Sequence, residues 1–367
     1  MMPEAAAIVK TLLAWYRHNA RDLPWRGCAD PYAVWISEIM LQQTQVNTVI
    51  PYWRRWLKAL PTIEALARAD QDQVLKLWEG LGYYSRARNL QKAAKVIQDA
   101  HGGKFPEQFD AVLGLPGIGP YTAGAIASIA FGQARPVLDG NVIRVLCRVD
   151  GINECVKQPA VNRQLWTRAE ALVRQASREK KPGVNSCGGF NQSLMELGAT
   201  VCMPRNPSCE LCPMRHSCQA KKLGLIERLP NLGKRQKSVR RNYVALVIRR
   251  RGKLLVRKRS AAAINGSFWE FPATETNGND PGGYKWIEKR WRQGPQALRT
   301  LGEIKHSITT NRITLRVYVT EVSHGFSDLD DSHRWVTHAE LERLALTGAH
   351  RKIVRRLMVS NDFYHFG

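Results

Sequence analysis

The stretch "LGLPGIGPYTAGAIA", residues 113–127, decides the fold of the first part of the chain. It joins an apolar run to a small-residue helix pattern through "PGIGP", which has two glycines and two prolines in five positions. Such a turn leaves the backbone amides of Gly117 and Gly119 free, and the helix that follows from Tyr121 adds the positive end of its dipole. Because glycine has no Cβ, a phosphate can approach these amides closely. The stretch predicts a helix-hairpin-helix with a phosphate seat; a hairpin that serves packing alone is the alternative.

The charge of the chain favours the phosphate interpretation. Its 367 residues include 55 Lys and Arg against 31 Asp and Glu, a formal net charge of +24, and such a field concentrates polyanions. The basic residues are clustered, since twelve of the 26 residues from Lys234 to Arg259 are basic and none is acidic. Nucleic acid is therefore the first partner that the sequence predicts, ahead of a charge that only aids solubility.

The pattern along the chain predicts two domains. From residue 4 to about 220, helical patterns such as "EAAAIVKTLLAWYRHN" follow one another between short Pro, Gly or Asp breaks. Residues 230–241, "PNLGKRQKSVRR", lack apolar periodicity and predict a basic linker. Beyond it, "YVALVI" and "KLLVRKR" predict strands joined by a turn at Arg251 and Gly252, and "RITLRVYVT" alternates as a half-buried strand does. We expect a multidomain chain, with an all-α region at residues 1–229 and an α+β domain at residues 242–367.

The sequence contains no sign of a membrane segment. No apolar run reaches the roughly 18 residues that a membrane span requires. Glu4, Lys10 and Arg17 interrupt the amphipathic start of the chain, so we expect no targeting segment and a cytoplasmic location. We further expect a nucleoid-associated protein of the bacterial type, and a monomer.

Two carboxyl groups stand in contrasting local contexts. In "YAVWISEIMLQQT", Glu38 shares a helix face with Val34, Trp35 and Leu41, and burial there would raise its pKa. In "RPVLDGNVIRVL", Asp139 directly precedes a helix whose N-terminus would lower its pKa. Such a pair suits a general acid and an anion that stabilises positive charge, as breakage of a glycosidic bond requires. The spacing does not bring them together by itself, and an ordinary helix cap beside a core helix is the alternative.

A cysteine motif, C-x6-C-x2-C-x5-C, predicts a metal site. It comprises Cys202, Cys209, Cys212 and Cys218, and four thiolates so close can hold a zinc ion or an iron–sulfur cluster. The wide, unequal spacing around a single C-x2-C favours a 4Fe–4S cluster. We expect a structural role for it, since the same loop carries Arg205 and Arg215 and could lock them onto DNA.

These features occur in the order found in the helix-hairpin-helix DNA glycosylases of the endonuclease III superfamily. The segments "LPWR", "WISEIMLQQTQV", "WEGLGYYSRARNL", "LPGIGPYTAGAI" and "FNQSLMELGATVC" resemble the MutY-type adenine DNA glycosylases over about residues 8–220. The resemblance implies a monofunctional enzyme of base excision repair. It would bind double-stranded DNA and remove adenine mispaired with 8-oxoguanine or with G, leaving an abasic site.

The resemblance also assigns roles to individual residues. Glu38 would protonate adenine at N7, and Asp139, steadied by Asn141, would stabilise the oxocarbenium ion or trap it covalently. Tyr121 would help to position the intermediate. It stands where the endonuclease III branch has a lysine, and a phenol cannot form the Schiff base that leads to strand cleavage.

Further residues correspond to the family's DNA contacts. The pocket for the flipped adenine corresponds to Leu23, Trp25, Arg26 and Gln192, and the residues that wedge into the duplex correspond to Gln43 and Tyr83. Each has a structural alternative, because Leu23 and Trp25 could be core residues and Gln43 a helix-surface residue.

The second domain resembles the family's MutT-like, or Nudix-like, domain, most clearly at "GSFWEFP", residues 266–272. No REx2EE-type acidic helix follows, so we expect a recognition domain without hydrolase activity. In the family a Phe-Ser-His loop contacts 8-oxoguanine, whereas this chain has "HSITTNR", residues 306–312. The Phe and His of that loop are missing here; we expect His306 and Thr309 to serve there, with Thr309 keeping the hydroxyl of the family's serine.

Three other functions stay open on the sequence alone. A glycosylase/lyase for oxidised pyrimidines is disfavoured by Tyr121 and by the extra domain. A DNA-binding protein without catalysis would use only the hairpin and the basic linker. A Nudix hydrolase is disfavoured by the missing acidic helix.

Overall fold

The structure, a computed structural model, describes residues 4–179, 183–234, 237–261, 263, 265–277, 280, 282–324, 326 and 329–359. It divides the chain into two units, one formed by Met1–Arg68 with Asn89–Arg235 and the other by Ala69–Arg88 with Gln236–Gly367. The sequence predicts an unbroken helical region at residues 1–229, and the structure instead assigns residues 69–88 to the second unit. Ion pairs explain this assignment, because Asp72 binds Lys258 and Glu79 binds Arg351.

Helices make up the regular structure described in the first unit. They are α1 (Ala5–Asn19), α2 (Pro31–Leu41), α3 (Val46–Ala59), α4 (Ile63–Arg68), α6 (Ser85–His101, whose first turn belongs to the second unit), α7 (Phe109–Leu113), α8 (Pro120–Ile129), α9 (Gly140–Asp150), α10 (Pro159–Ala176), α11 (Ser186–Thr200) and α12 (Gln219–Lys222), with a 3-10 turn at Cys209–Leu211. Helix α2 begins where the sequence allows it, since the Asp30 carboxylate caps the amides of Tyr32 and Ala33, and Pro31 occupies the first turn.

Close helix packing brings the functional segments together in the first unit. The core is built from apolar residues of α1, α9, α10 and α11, among them Leu12, Leu146, Leu165 and Phe190. Helix α11 approaches the start of α9 so closely that a Cβ on Gly198 would lie 2.7 Å from Asn141 Cβ. Only glycine fits this crossing without displacing the neighbouring backbone.

The second unit is built around one mixed sheet. Its elements are α5 (Gln71–Trp78), β1 (Val239–Arg250), β2 (Lys253–Lys258), β3 (Trp269–Glu270), β4 (Ala273–Glu275), α13 (Tyr284–Trp291), a 3-10 turn at Pro295–Ala297, β5 (Arg299–Ile308), β6 (Asn311–Glu321), β7 (His333–Val336), α14 (His338–Arg343) and α15 (Gly348–Val359). The strand order is β3-β2-β1-β6-β5, with β4 paired to β1 and β7 to β2. Strands β1 and β6 are parallel and the other pairs are antiparallel.

Two sequence predictions need correction in this unit. The linker prediction of 230–241 extends too far, because Val239, Arg240 and Arg241 already pair with β6; residues 235 and 236 lie outside the described residues. Strand β6 is half-buried only in part, since Tyr318 and Thr320 are buried on the face that was expected to be exposed. The helix α13 covers that face with Ile287 and Trp291, while α14 and α15 cover the other.

The turn between β1 and β2 is confirmed. Arg251 and Gly252 both have left-handed backbone conformations, with φ of 46° and 70°.

Among the described residues, no helix combines the length and the apolar character needed to cross a membrane.

Candidate active site

A cavity of about 550 Å³ in the first unit contains the residues predicted to act on the substrate. Its wall comes from α2, α8, α9, α11, the start of α3, the segments before and after α2, and the segment before α9. The predicted residues in its wall are Leu23, Trp25, Arg26, Glu38, Gln43, Tyr121, Asp139, Asn141 and Gln192. The fold therefore brings together residues more than 150 positions apart in the sequence, which their spacing alone could not show.

Glu38 lies in the middle of α2 and is only 5% exposed. The Tyr121 hydroxyl donates a hydrogen bond to its Oε2 at 2.7 Å. Burial raises the pKa of Glu38 to about 7; the Tyr121 bond opposes this rise and the charge of Asp139 adds to it. Glu38 is thus protonated in a large fraction of molecules near neutral pH, as a general acid must be.

Asp139 caps helix α9 as the sequence predicts. Its Oδ1 accepts the amide of Val142 at 2.8 Å, and its Oδ2 accepts Asn141 Nδ2 at 3.0 Å. The expected direction of its pKa was wrong: burial raises the pKa of Asp139, and the two hydrogen bonds offset that effect only in part. The helix N-terminus fixes the carboxylate in place, while the cavity removes it from water.

A hydrogen-bonded chain links Asp139 to the cysteine loop. Arg144 donates to Asn141 Oδ1 at 2.8 Å, and Asn141 in turn donates to Asp139. The same guanidinium donates to the carbonyls of Cys202 and Gly198, both at 2.7 Å. Sequence reasoning missed Arg144, whose position three residues after Asn141 on α9 was the available signal.

Tyr121 faces Glu38 from the first turn of α8. Its hydroxyl also contacts Met195 Sδ at 3.3 Å, and burial raises the pKa of this phenol well above its ordinary value. The side chain therefore remains neutral and acts as a hydrogen-bond donor. Among the described residues that line the cavity none is a lysine, and the exposed Lys104 and Lys157 lie outside its wall.

The back wall of the cavity is formed by Glu196 together with Arg21 and Arg26, and the sequence analysis did not identify this glutamate. Glu196 lies at 2.8 Å from Arg21 and at 2.5 Å from Arg26, and its side chain is completely buried. Burial acts to raise its pKa, but the hydrogen bonds from Arg21 and Arg26 dominate and lower it to about 2. Glu196 follows Gln192 by four positions on α11, so the shared helix face could have indicated it.

The remaining wall residues combine packing with access to the cavity. Leu23 and Trp25 are 6% and 7% exposed, and Trp25 packs edge-on against Trp53, so the core alternative also describes them correctly. Gln43 is exposed, and its φ of 56° is a left-handed backbone conformation that is uncommon outside glycine. Strained backbone of this kind often marks a functional contact.

The hairpin has the predicted free amides. Ile118 donates its amide to the Leu115 carbonyl, while no acceptor in the described part of the chain takes the amides of Gly117 and Gly119. Gly117 has φ of 80°, and a Cβ there would lie 2.6 Å from Asn89 Cβ. At Gly119 a Cβ would meet nothing within 4 Å, so there is open space beside this residue at the start of α8.

The four predicted ligands Cys202, Cys209, Cys212 and Cys218 line one small cavity, of about 20 Å³. In the described part of the chain, no three cysteine, histidine or carboxylate side chains converge as the ligands of a single metal ion would. Four thiols around one shared space are the donor set that an iron–sulfur cluster uses. Arg148 donates to Cys202 Sγ at 3.4 Å and to the Met203 carbonyl, so a buried cation supports this loop.

A second cavity, of about 560 Å³, lies within the second unit. It is lined by Tyr83, His306 and Thr309 of the predicted contacts, together with Ser307 and Lys352. Tyr83 is 44% exposed, and both Tyr83 and Thr309 have left-handed backbone, with φ of 46° and 50°. The Nδ1 atom of His306 is buried without a partner among the described residues, and burial lowers the pKa of this imidazole.

Comparison with known proteins identifies the protein families that these parts of the chain match. Residues 36–171 match the HhH-GPD superfamily of base excision DNA repair proteins, residues 202–218 the iron-sulfur binding domain of endonuclease III, and residues 243–356 the Nudix domain. A thermostable thymine-DNA glycosylase is similar in structure, with a TM-score of 0.53 and 31% identity over 60% of this chain and 97% of that one. Fold and sites thus define a helix-hairpin-helix glycosylase with a 4Fe–4S loop and a Nudix-like domain.

Relatives that match most of this chain identify the particular glycosylase family. The adenine DNA glycosylase of Homo sapiens is 36% identical over 96% of this chain and 74% of its own length. The enzyme of the same name from Buchnera aphidicola subsp. Baizongia pistaciae is 36% identical over 82% of each chain. The chain belongs to the adenine DNA glycosylase family, which confirms the MutY-type resemblance of its motifs.

Proposed function

We propose that this protein is a monofunctional adenine DNA glycosylase that removes adenine mispaired with 8-oxoguanine or G from double-stranded DNA. One observation carries the proposal. A protonatable Glu38, a neutral Tyr121 and a fixed Asp139 carboxylate face one cavity walled by Trp25 and Arg26. One copy of the chain supplies every one of these groups, so a monomer suffices.

The reaction follows from the positions of the acid and the anion. Glu38 donates its proton to N7 of a flipped adenine, and the bond between C1′ and N9 breaks with its electron pair moving to the base. The sugar becomes an oxocarbenium ion, which the Asp139 carboxylate stabilises. Water adds at C1′ and its proton passes to the Glu38 carboxylate, which gives the abasic site and restores the acid.

The DNA strand remains intact in this scheme. A lyase step would need an amine to attack C1′, and none of the described lining residues is a lysine. The four cysteines would hold the 4Fe–4S cluster, which fixes the loop that carries Arg205 and Arg215. The chemical steps use only the chain's own side chains.

The Thr309 hydroxyl supports recognition of 8-oxoguanine by the second unit. It donates to the Ile308 carbonyl at 2.7 Å, which leaves its lone pairs free to accept a hydrogen bond. In 8-oxoguanine N7 carries a hydrogen, whereas in guanine N7 is an acceptor. A hydroxyl that can accept therefore favours the oxidised base.

Single-turnover release of adenine tests the proposal. Matched duplexes would carry A opposite 8-oxoguanine, G or T, with wild type compared with Asp139→Asn. We expect fastest release opposite 8-oxoguanine, slower release opposite G, no release by the variant and no nicking of the strand without heat or alkali. Nicking by the wild type would indicate a lyase, and absence of release from every duplex would indicate a DNA-binding protein without catalysis.

A further inference from the structure

A larger cavity, of about 820 Å³, lies on the other side of the back wall in the first unit. It is bounded by α1, by the start of α11 and by the segment between α1 and α2, and Ala14, Tyr16, Arg17 and Gly189 are among its lining residues. Arg21, Arg26 and Gln192 line both this cavity and the catalytic cavity. The two spaces are therefore separated by a partition formed by these three side chains.

Within the partition, Arg21 and Arg26 are fixed to the buried Glu196, whereas Gln192 is held by bonds that side-chain rotation can break. Gln192 accepts the Tyr16 hydroxyl at 3.2 Å and donates to the Gly188 carbonyl at 3.3 Å, both long for hydrogen bonds. The guanidinium of Arg26 lies over the Tyr16 ring, 5.3 Å from its centre. No helix needs to move for the Gln192 amide to swing aside, and side-chain rotations are fast compared with catalysis.

The proposed reaction creates a need for such an opening. The flipped nucleotide enters past Gln43, and after cleavage the abasic DNA still occupies that entrance. The free base is a neutral, planar purine with several hydrogen-bond acceptors. The second cavity offers it donors from Tyr16 and Arg17, beyond the partition.

We propose that free adenine leaves the catalytic cavity through the Arg26 and Gln192 partition into this second cavity, while the DNA is still bound. The inference rests on the proposed function. It assigns the second cavity a role as a purine exit, and it makes base release independent of DNA release.

Adenine exchange on a preformed complex tests the exit. The full-length protein is bound to a duplex with a stable abasic-site analogue opposite 8-oxoguanine, and binding and loss of labelled adenine are followed. In the wild type we expect adenine to exchange at least about tenfold faster than the DNA dissociates. Ala14→Trp fills the second cavity from an exposed position and should slow exchange about tenfold, with the single-turnover excision rate unchanged.

Two variants sharpen the test. His18→Trp places the same side chain at an exposed position of α1 outside the cavity wall, and it should leave exchange unchanged. Tyr16→Phe removes the hydroxyl that holds Gln192 and should speed exchange a few-fold. The proposed exit is overturned if adenine exchanges only as fast as the DNA dissociates. It is also overturned if Ala14→Trp and His18→Trp slow exchange equally, or if neither slows it. Failure of the wild type to excise adenine from a mispair would instead refute the proposed function.

Discussion

The catalytic cavity of the first unit and the Tyr83 cavity of the second unit are built in opposite ways. In the first, Glu38, Tyr121 and Asp139 project from helices, are largely buried, and are fixed by hydrogen bonds of 2.7–3.0 Å. In the second, Tyr83 and Thr309 lie on turns with left-handed backbone and are exposed. The volumes are nearly equal, at about 550 and 560 Å³, so size does not distinguish them.

The difference matches two kinds of task. Proton transfer and charge stabilisation gain from low dielectric and from donors fixed before the reaction begins. Contact with a base that remains in the duplex needs side chains on the surface. Perturbation of the first cavity should therefore abolish chemistry, whereas perturbation of the second should change only the preference for the opposite base.

The largest effect is expected at Glu38. Glu38→Gln removes the proton donor without changing the size of the side chain, and it should lower the single-turnover rate by roughly 10²- to 10⁴-fold. Glu170→Gln changes a half-buried glutamate of α10 that pairs with Arg174, outside the cavity wall, and it should leave the rate unchanged. Retention of wild-type excision by Glu38→Gln would remove it from the mechanism.

The next effect tests the link between Asp139 and the cysteine loop. Arg144→Leu removes the donor to Asn141 and to the carbonyls of Cys202 and Gly198, so we expect roughly a 10- to 100-fold slower excision. Arg163→Leu, at an exposed position of α10, is the matched control. Iron content and visible absorbance, measured in parallel, separate loss of the cluster from misplacement of Asp139. Excision at the wild-type rate by Arg144→Leu would show that the chain does not position Asp139.

The pH profile follows from the raised pKa of Glu38. The reaction needs Glu38 protonated and Asp139 ionised, so the single-turnover rate should fall about tenfold per pH unit above about 7. It should also fall in acid, where Asp139, whose pKa burial raises, becomes protonated. The Tyr121 hydrogen bond lowers the pKa of Glu38, so Tyr121→Phe should move the alkaline fall to higher pH. A shift to lower pH would mean that the phenol acts on another group.

The smallest effect is expected in the second unit. Thr309→Ala removes the hydroxyl that can accept a hydrogen bond from N7 of 8-oxoguanine, and it should reduce the preference for 8-oxoguanine over G by about tenfold. Ser307→Ala, a neighbouring exposed hydroxyl in the same cavity wall, is the comparison. Excision rates opposite the two bases provide the readout. A larger loss at Ser307 would show that the recognising hydroxyl is there, and an equal loss opposite both bases would place Thr309 outside recognition.

Local sequence patterns were sufficient to predict features that depend on a single helix or turn. The hairpin follows from "PGIGP", the cap at Asp139 from its place before α9, and the burial of Glu38 from three apolar neighbours on its helix face. The cysteine spacing indicated the iron–sulfur loop. Glu196 and Arg144 were missed because their roles depend on partners from other elements, Arg21 and Cys202.

The sequence by itself determined the helical and sheet-containing halves of the chain, the hairpin, the metal-binding loop and the family, because each depends on short-range spacing of residue types. Only the tertiary structure decided that residues 69–88 belong to the second unit, that Asp139 has a raised pKa, and that Arg21, Arg26 and Gln192 divide two cavities. Burial, ion pairing and the walls of a cavity are sums over residues that are distant in the sequence. They are fixed only when the whole chain has packed.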